Sequence, residues 1–314
     1  MDSLNKSFKK LIKDLKVFNK NLNYVTCKSK EFGFVLFWDI IWCKLRYGIT
    51  SNEYRIFDFY NLSEEKRNTF MSKRRYEFIN EKLVNKKIIS VINNKDRFNL
   101  KFKDYLKREV YNIKEMSFKE IEDFILDNKV LIGRSISASF ISSYKKYDLS
   151  DYRSPAFMAE DMKDNKDYLI EKEFNQQKDL NKISPLVFVN VVSVYNKGVD
   201  IVSASIKFRD NKDIITGYID IDNKCIKGNL KDENGINYKD NYDGLVIPKF
   251  KSVIEKVKSL GEELSEIRQV EWSFIIGNRS VYLVDAGVWD DYVFSQIREF
   301  LKDDEGLMTY YKKI

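Results

Sequence analysis

Two short apolar runs near the C-terminus constrain this chain more than any other feature: Val270-Glu271-Trp272-Ser273-Phe274-Ile275-Ile276 and Val281-Tyr282-Leu283-Val284-Asp285. Gly277-Asn278-Arg279-Ser280 joins them, and a Gly-Asn turn between two β-type runs predicts a hairpin. The second run ends in an acid on a strand expected to be buried. A buried carboxylate without a partner is strongly destabilising, so Asp285 requires a cation, a set of hydrogen-bond donors or a metal ion. Its neighbour across the hairpin depends on register. Side chains alternate along a strand, so Glu271 and Ser273 share a face, about 7 Å apart. A turn of even length sets Trp272 opposite Asp285, whereas an odd turn or a bulge sets Ser273 there. Only the second register makes a joint polar site of Ser273 and Asp285, with Glu271 within reach.

The chain has 314 residues, 43% of them apolar and 14% aromatic, which supports one large domain or two lobes and excludes a disordered protein. The 55 basic and 48 acidic residues leave +7, spread along the chain instead of clustered, so no nucleic-acid partner is expected. Histidine is absent. That excludes Ser-His-Asp and Cys-His nucleophilic sites, His-ligated zinc and an imidazole base, and leaves acid–base work to Asp, Glu, Lys or Tyr. Cys27, Cys43 and Cys225 have no metal-type spacing and suggest a reducing compartment. No secretory segment is visible, and the most apolar stretch, Phe32 to Cys43, is short and interrupted by Asp39. The expected location is cytoplasmic.

Residues 4–18 place Leu4, Phe8, Leu11, Ile12, Leu15 and Phe18 on one helical face, with Lys6, Lys9, Lys10, Lys13 and Lys16 around the rest. Such a helix either packs on its own protein or lies on an anionic membrane, which leaves peripheral membrane association open. Residues 34–47 predict a second, more buried helix, and Ser63-Glu64-Glu65-Lys66 predicts a helix start capped by Ser63. Helix continues to about residue 85. Short β-type runs follow at Val130–Ile132, Tyr168–Glu171, Leu186–Tyr195, Ile201–Phe208 and Ile214–Ile221. Pro248 opens an amphipathic helix with Phe250, Val253, Ile254, Val257 and Leu260 on one side. This order predicts an α+β fold with a largely antiparallel sheet: a helical region over 1–85, then one domain over 86–314.

Three further segments could carry chemistry. In Val130-Leu131-Ile132-Gly133-Arg134-Ser135-Ile136-Ser137-Ala138-Ser139-Phe140 a cation at a strand end precedes a small-residue loop. That arrangement suits phosphate, although a single glycine makes the loop equally readable as an ordinary Ser-rich turn. Asn93-Asn94-Lys95-Asp96-Arg97-Phe98 reads as a polar turn capping a helix. Tyr168-Leu169-Ile170-Glu171-Lys172-Glu173-Phe174 reads as a strand ending in acids, which bind ribose hydroxyls in some sites and are more often solvated.

Taken in order, these elements resemble the sugar-transfer-associated ATP-grasp family of bacterial surface-polysaccharide clusters, from about Asp39 to Trp289. The pieces that carry the resemblance are Lys44-Leu45-Arg46-Tyr47-Gly48-Ile49 with Glu53-Tyr54, Asn94-Lys95-Asp96-Arg97-Phe98, Tyr168-Leu169-Ile170-Glu171 with Gln176, Ile247-Pro248, and Glu271-Trp272 leading to Val284-Asp285. The resemblance implies an ATP-grasp-like fold, two α+β lobes around a nucleotide cleft, preceded by the helical region. ATP and Mg²⁺ are the implied cofactors. Lys95 matches the family's first phosphate-reaching lysine, and Arg134, with Ser135 beside it, falls where a second lysine followed by proline is expected. The backbone after Glu171, towards Glu173, would meet the adenine edge. Asp285 matches a glutamate that binds Mg²⁺ between phosphates. The chain departs from the pattern at Ser273, where the family has a metal-binding aspartate, and at Gly287, where it has asparagine. Val187-Phe188-Val189-Asn190 replaces an Asn-Thr-x-Arg run, so a basic residue near the substrate is missing. Glu271 could compensate for Ser273 as a metal ligand.

If active, such a protein phosphorylates a carboxylate with ATP and passes the acyl group to an amine or hydroxyl, with a sugar or polysaccharide precursor as partner. The rival reading is a degraded homologue that serves as scaffold or regulator of a glycosyltransferase complex. A third is a peripheral membrane adaptor working through the basic N-terminal helix.

Overall fold

The computed structural model describes residues 2–164, 168–301 and 303–312, and for 2–8, 10, 11 and 86–88 it describes the backbone alone. Two compact units divide the chain, one of residues 1–82 with 290–314 and the other of residues 83–289. The C-terminal segment thus groups with the N-terminal helices, not with the domain that precedes it in sequence.

In the first unit, α1 (Asp2–Lys28) and α2 (Gly33–Tyr47) meet through an edge-to-face contact of Phe18 and Phe37. Helix α1 runs ten residues beyond the expected end, because Asn21 and Val25 continue a buried face past Phe18. The side chains of Leu4, Lys6, Phe8, Lys10 and Leu11 lie outside those described. Helix α2 buries Leu36, Ile40, Cys43 and Tyr47, and Gly48 ends it in the left-handed region at φ +73°, a conformation that favours glycine. The expectation that α2 is the more buried helix holds for that side only, since Phe34, Trp38, Trp42 and Leu45 are exposed. Ser63 caps the helix Glu64–Arg67, with its hydroxyl accepting from the Lys66 amide. Helical structure persists past residue 85, through short helices that end at Leu106.

The second unit is α+β. Four strands, β1 (Val110–Asn112), β2 (Val130–Ser135), β3 (Lys145–Asp148) and β4 (Tyr168–Lys172), form an antiparallel sheet in the order β1-β4-β2-β3. Six more, β5 (Phe188–Tyr195), β6 (Val199–Asp210), β7 (Asp213–Asp220), β8 (Cys225–Ile226), β9 (Gln269–Ile276) and β10 (Val281–Gly287), form an antiparallel sheet in the order β10-β9-β5-β6-β7-β8. One face of this sheet carries Val189, Val191, Ile206, Trp272 and Phe274, which pack with Phe250, Val253, Val257 and Leu260 of the helix Phe250–Glu263. The other face has a polar row, Asn190, Ser205, Lys207, Glu271 and Ser273, in adjacent registers. Asn190, Lys207 and Glu271 of this row are buried, so each requires a hydrogen-bonding or charged partner.

Candidate functional site

The hairpin resolves the register left open by the sequence. Its turn has an even four residues between Ile276 and Val281, yet Asp285 pairs with Ser273, because a β-bulge between Leu283 and Asp285 shifts the parity. Ser273 in turn faces Asn190 of β5. Arginines meet the backbone at this bulge: Arg108 Nη1 donates to Leu283 O, and Arg134 Nη1 donates to Val284 O at 3.3 Å.

Asp285 is buried and fully engaged. Its Oδ1 accepts from the Lys95 ammonium and from the Ala286 amide at 2.9 Å, while Oδ2 accepts from the Phe140 amide at 2.8 Å. Lys95 reaches it because Asn94 caps the helix Lys95–Lys101, its Oδ1 accepting from the Arg97 amide at 3.1 Å, which fixes Lys95 at the first helical position. The Lys95 amide donates to Ile136 O, in the Ser-rich loop. Helix start, loop and hairpin are therefore joined at one point.

A second charged group adjoins the first. Glu171, wholly buried on β4, lies between two guanidinium groups: Arg108 Nε donates to its Oε2, and Arg134 Nε stands 3.1 Å from its Oε1 in an ion contact without hydrogen-bond alignment. Arg134 also donates to Asn99 Oδ1 at 3.2 Å and lies 4.8 Å over the Phe140 ring; Arg108 lies 5.5 Å over Phe174. Burial pulls the Arg108 pKa down from its ordinary value, and Glu171 opposes that shift. Arg108 Nη2 is buried without a hydrogen-bond partner. Arg108 also forms part of the wall of a cleft of about 450 Å³, together with Asn99, Lys103, Leu106, Tyr111 and Asn112. None of the eight residues nominated from sequence lines that cleft.

Of those eight, Lys95, Arg134, Glu171 and Asp285 come together, with Ser273 across the ladder from Asp285. Glu271 belongs to a neighbouring pair. Its Oε1 accepts from Lys207 Nζ at 2.8 Å and Asn190 Nδ2 at 2.9 Å, all three buried. Lys207 thus places a cation beside Asn190, where the sequence reading found a basic residue missing from that strand. Ser135 ends β2 at the loop edge, its amide donating to Ser143 Oγ at 3.2 Å and its hydroxyl 3.3 Å from Ser137 Oγ. Glu173 is on the surface, paired with Lys146 at 2.7 Å, and its amide donates to Val130 O. Sequence reasoning missed Arg108 and Lys207. The signal for Lys207 was a lysine between the apolar Ile206 and Phe208 on a strand; Arg108 precedes a strand too short to announce itself.

Mg²⁺ takes near-octahedral oxygen donors, with one or two carboxylates free to bind it. Here Asp285 accepts three N–H groups, Glu271 accepts a lysine and an amide, and Ser273 offers a neutral hydroxyl. The donor set in this arrangement fits ammonium groups and does not fit Mg²⁺.

No family model and no curated protein matches the sequence. Among solved structures, the chain is similar to an ADP complex of N5-carboxyaminoimidazole ribonucleotide synthetase (8% identity, TM-score 0.46, covering 68% of this chain and 50% of that one). It is also similar to D-alanyl-alanine synthetase A from Vibrio cholerae (9%, 0.45, 71% and 63%) and to an L-amino acid ligase from Bacillus licheniformis (9%, 0.39, 63% and 41%). The chain spans half the length of the first and less than two thirds of each. At those scores the likeness carries no weight for ligand or activity.

Proposed function

We propose that residues 83–289 form an ATP-grasp-like nucleotide-binding module. The observation that carries this reading is the meeting of Lys95, Arg134 and Asp285, three residues nominated by a sequence resemblance and separated by up to 190 positions. Lys95 and Arg134 are the phosphate-binding groups. A polyanion competing for the Lys95 ammonium gains a charge-assisted hydrogen bond in a site from which water is largely excluded. The backbone after Glu171 and the Arg108 cleft beside it are the place for the base, because a volume of this size falls in the range of small-molecule sites.

Two uses of such a module differ in chemistry. One is ATP-dependent ligation, in which a carboxylate is phosphorylated and the acyl phosphate captured by an amine or hydroxyl during surface-polysaccharide assembly. The other is retained binding in a scaffold or regulator of a glycosyltransferase complex. The lysine-saturated Asp285 and Glu271 favour the second. The polysaccharide setting and its sugar-precursor partner rest on the sequence resemblance alone.

Calorimetric titration of ATP and ADP into the folded chain, with Mg²⁺ and with a chelator, tests the reading. Binding that survives the chelator and weakens roughly tenfold or more in Arg134→Gln, the loss of a charge-assisted hydrogen bond, is expected. Absence of heat with every nucleotide would end the proposal. ADP release when ATP is supplied with candidate carboxylates would replace the scaffold reading with the ligase.

A further inference from the structure

Helix α2 is apolar on nearly every side, an arrangement normal for a helix that is fully enclosed or in contact with lipid. It is not enclosed. Leu36, Ile40, Cys43 and Tyr47 point inward, while Phe34, Trp38, Trp42 and Leu45, at i, i+4, i+8 and i+11, form a stripe on the opposite side with exposures of 74%, 55%, 54% and 75%. Phe32, just before the helix, is 81% exposed. A run of large apolar groups this long on a solvent face marks a contact surface.

The charges beside it indicate what that contact is. Exposed basic residues described between positions 9 and 46 are Lys9, Lys13, Lys16, Lys20, Lys28, Lys30 and Lys44, with Arg46 paired to Glu64, while the exposed acids there are Asp14 and Glu31. Asp39 does not count among them, because both its oxygens are held by Arg67. The described part of α1 before Phe18 is exposed on all sides, including Leu15 and Val17. A second copy of the chain is a poor occupant, since a two-fold contact would set this basic surface against itself. Tryptophans on a lysine-rich face suit a lipid interface, where the rings sit at headgroup level and the ammonium groups meet anionic lipid. With 15 residues α2 is too short to cross a bilayer, and no helix among the described residues is long and apolar enough to do so.

We propose that the outward stripe of α2, together with the exposed lysines of α1, docks this protein on the surface of an anionic lipid bilayer. The proposal is independent of the nucleotide reading.

The test uses the full chain with two sets of vesicles, one of phosphatidylcholine alone and one of equal parts phosphatidylcholine and phosphatidylserine. Sedimentation and tryptophan emission are the readouts. Trp272 and Trp289 are buried, so a blue shift reports Trp38 and Trp42. Two variants separate the contributions: Trp38→Ser with Trp42→Ser, and Lys9, Lys13, Lys16 and Lys20 each to Glu. All six positions are exposed, so the fold is kept, as circular dichroism verifies. The wild type should sediment with anionic vesicles only and show the blue shift. Each variant should lower the partition coefficient roughly tenfold or more, since apolar area and basic charge both contribute to such binding. Three results would overturn the proposal: a folded wild type that ignores anionic vesicles, variants that bind as the wild type does, or a dimer that the tryptophan variant dissolves without any vesicle binding.

Discussion

Two regions of this molecule hold acids against arginines, and they differ in balance. In residues 1–82, Asp39 receives a bidentate contact from Arg67, both bonds at 2.8 Å, and a third bond from the Tyr54 hydroxyl at 2.5 Å. Arg67 also donates to Phe59 O, so α2 is tied to the segment that follows it. One carboxylate meets one guanidinium, and their side chains keep 23% and 15% exposure. In residues 83–289, Lys95, Arg108 and Arg134 meet Glu171 and Asp285, three cations against two carboxylates, in near-complete burial. A balanced pair needs nothing further. The second set has one positive charge in excess and a buried guanidinium nitrogen without a partner. A buried acid is therefore a poor sign of function on its own, and an uncompensated cation beside it is a better one.

The comparison breaks most readily at Glu171. Glu171→Gln leaves Arg108 and Arg134 buried with no anion between them and should lower stability by about 3–5 kcal/mol. Urea unfolding followed by near-ultraviolet circular dichroism measures it, and a loss below about 1 kcal/mol, the size of a surface pair, would mean the triad is solvated. Asp39→Asn should have a smaller effect, about 1–2 kcal/mol, because water reaches its partner and the amide keeps one acceptor. Equal losses at the two sites would erase the distinction drawn between them. Asn94→Ala removes a helix cap and should cost about 1 kcal/mol. It should also loosen Lys95 from Asp285, so any nucleotide affinity should fall with it; a stability change with affinity untouched would separate Lys95 from binding.

The smallest effect concerns pH, and at neutral pH it is nil. Burial, with the Asp39 charge adding to it, pushes the Cys43 thiol from 9.0 up to about 12. A group whose pKa is raised by folding contributes stability that is complete below its unfolded value and is lost as pH rises. Stability of the first unit should thus be unaffected by Cys43 below pH 9 and decline between 9 and 12. Exposed Cys27 should react with a thiol reagent while Cys43 stays protected until unfolding. Comparable rates at the two thiols would contradict the burial.

Much of the second unit was legible because its signals are local. Short apolar β-type runs, the Gly-Asn turn and the i, i+3, i+4 pattern after Pro248 each fixed an element, and β5, β6, β7, β9 and β10 lie where those signals put them. Asp285, Arg134 and Glu171 stood out as charged groups at strand ends and Lys95 through the resemblance, and three-dimensional packing supplied what a string of residues does not carry. The parity of the last hairpin depended on a bulge at Val284, beside which two arginines, 175 and 150 positions away in sequence, donate to the carbonyls of Leu283 and Val284. Arg108 was invisible for the same reason. Its role follows from meeting Glu171 and Leu283, and neither is near it in sequence. The outward face of α2 was misjudged because an all-apolar helix reads as buried from composition, whichever side is covered.

Amide hydrogen exchange, followed by mass spectrometry with and without ATP, tests the central claim most directly. If Lys95, Arg134 and Asp285 mark a nucleotide site, the loop 136–139, the Phe140 amide on Asp285 and the start of the helix Lys95–Lys101 should gain protection together when ATP is added. Unchanged exchange in all three segments at saturating ATP would contradict the account, and protection confined to other parts of the chain would do the same.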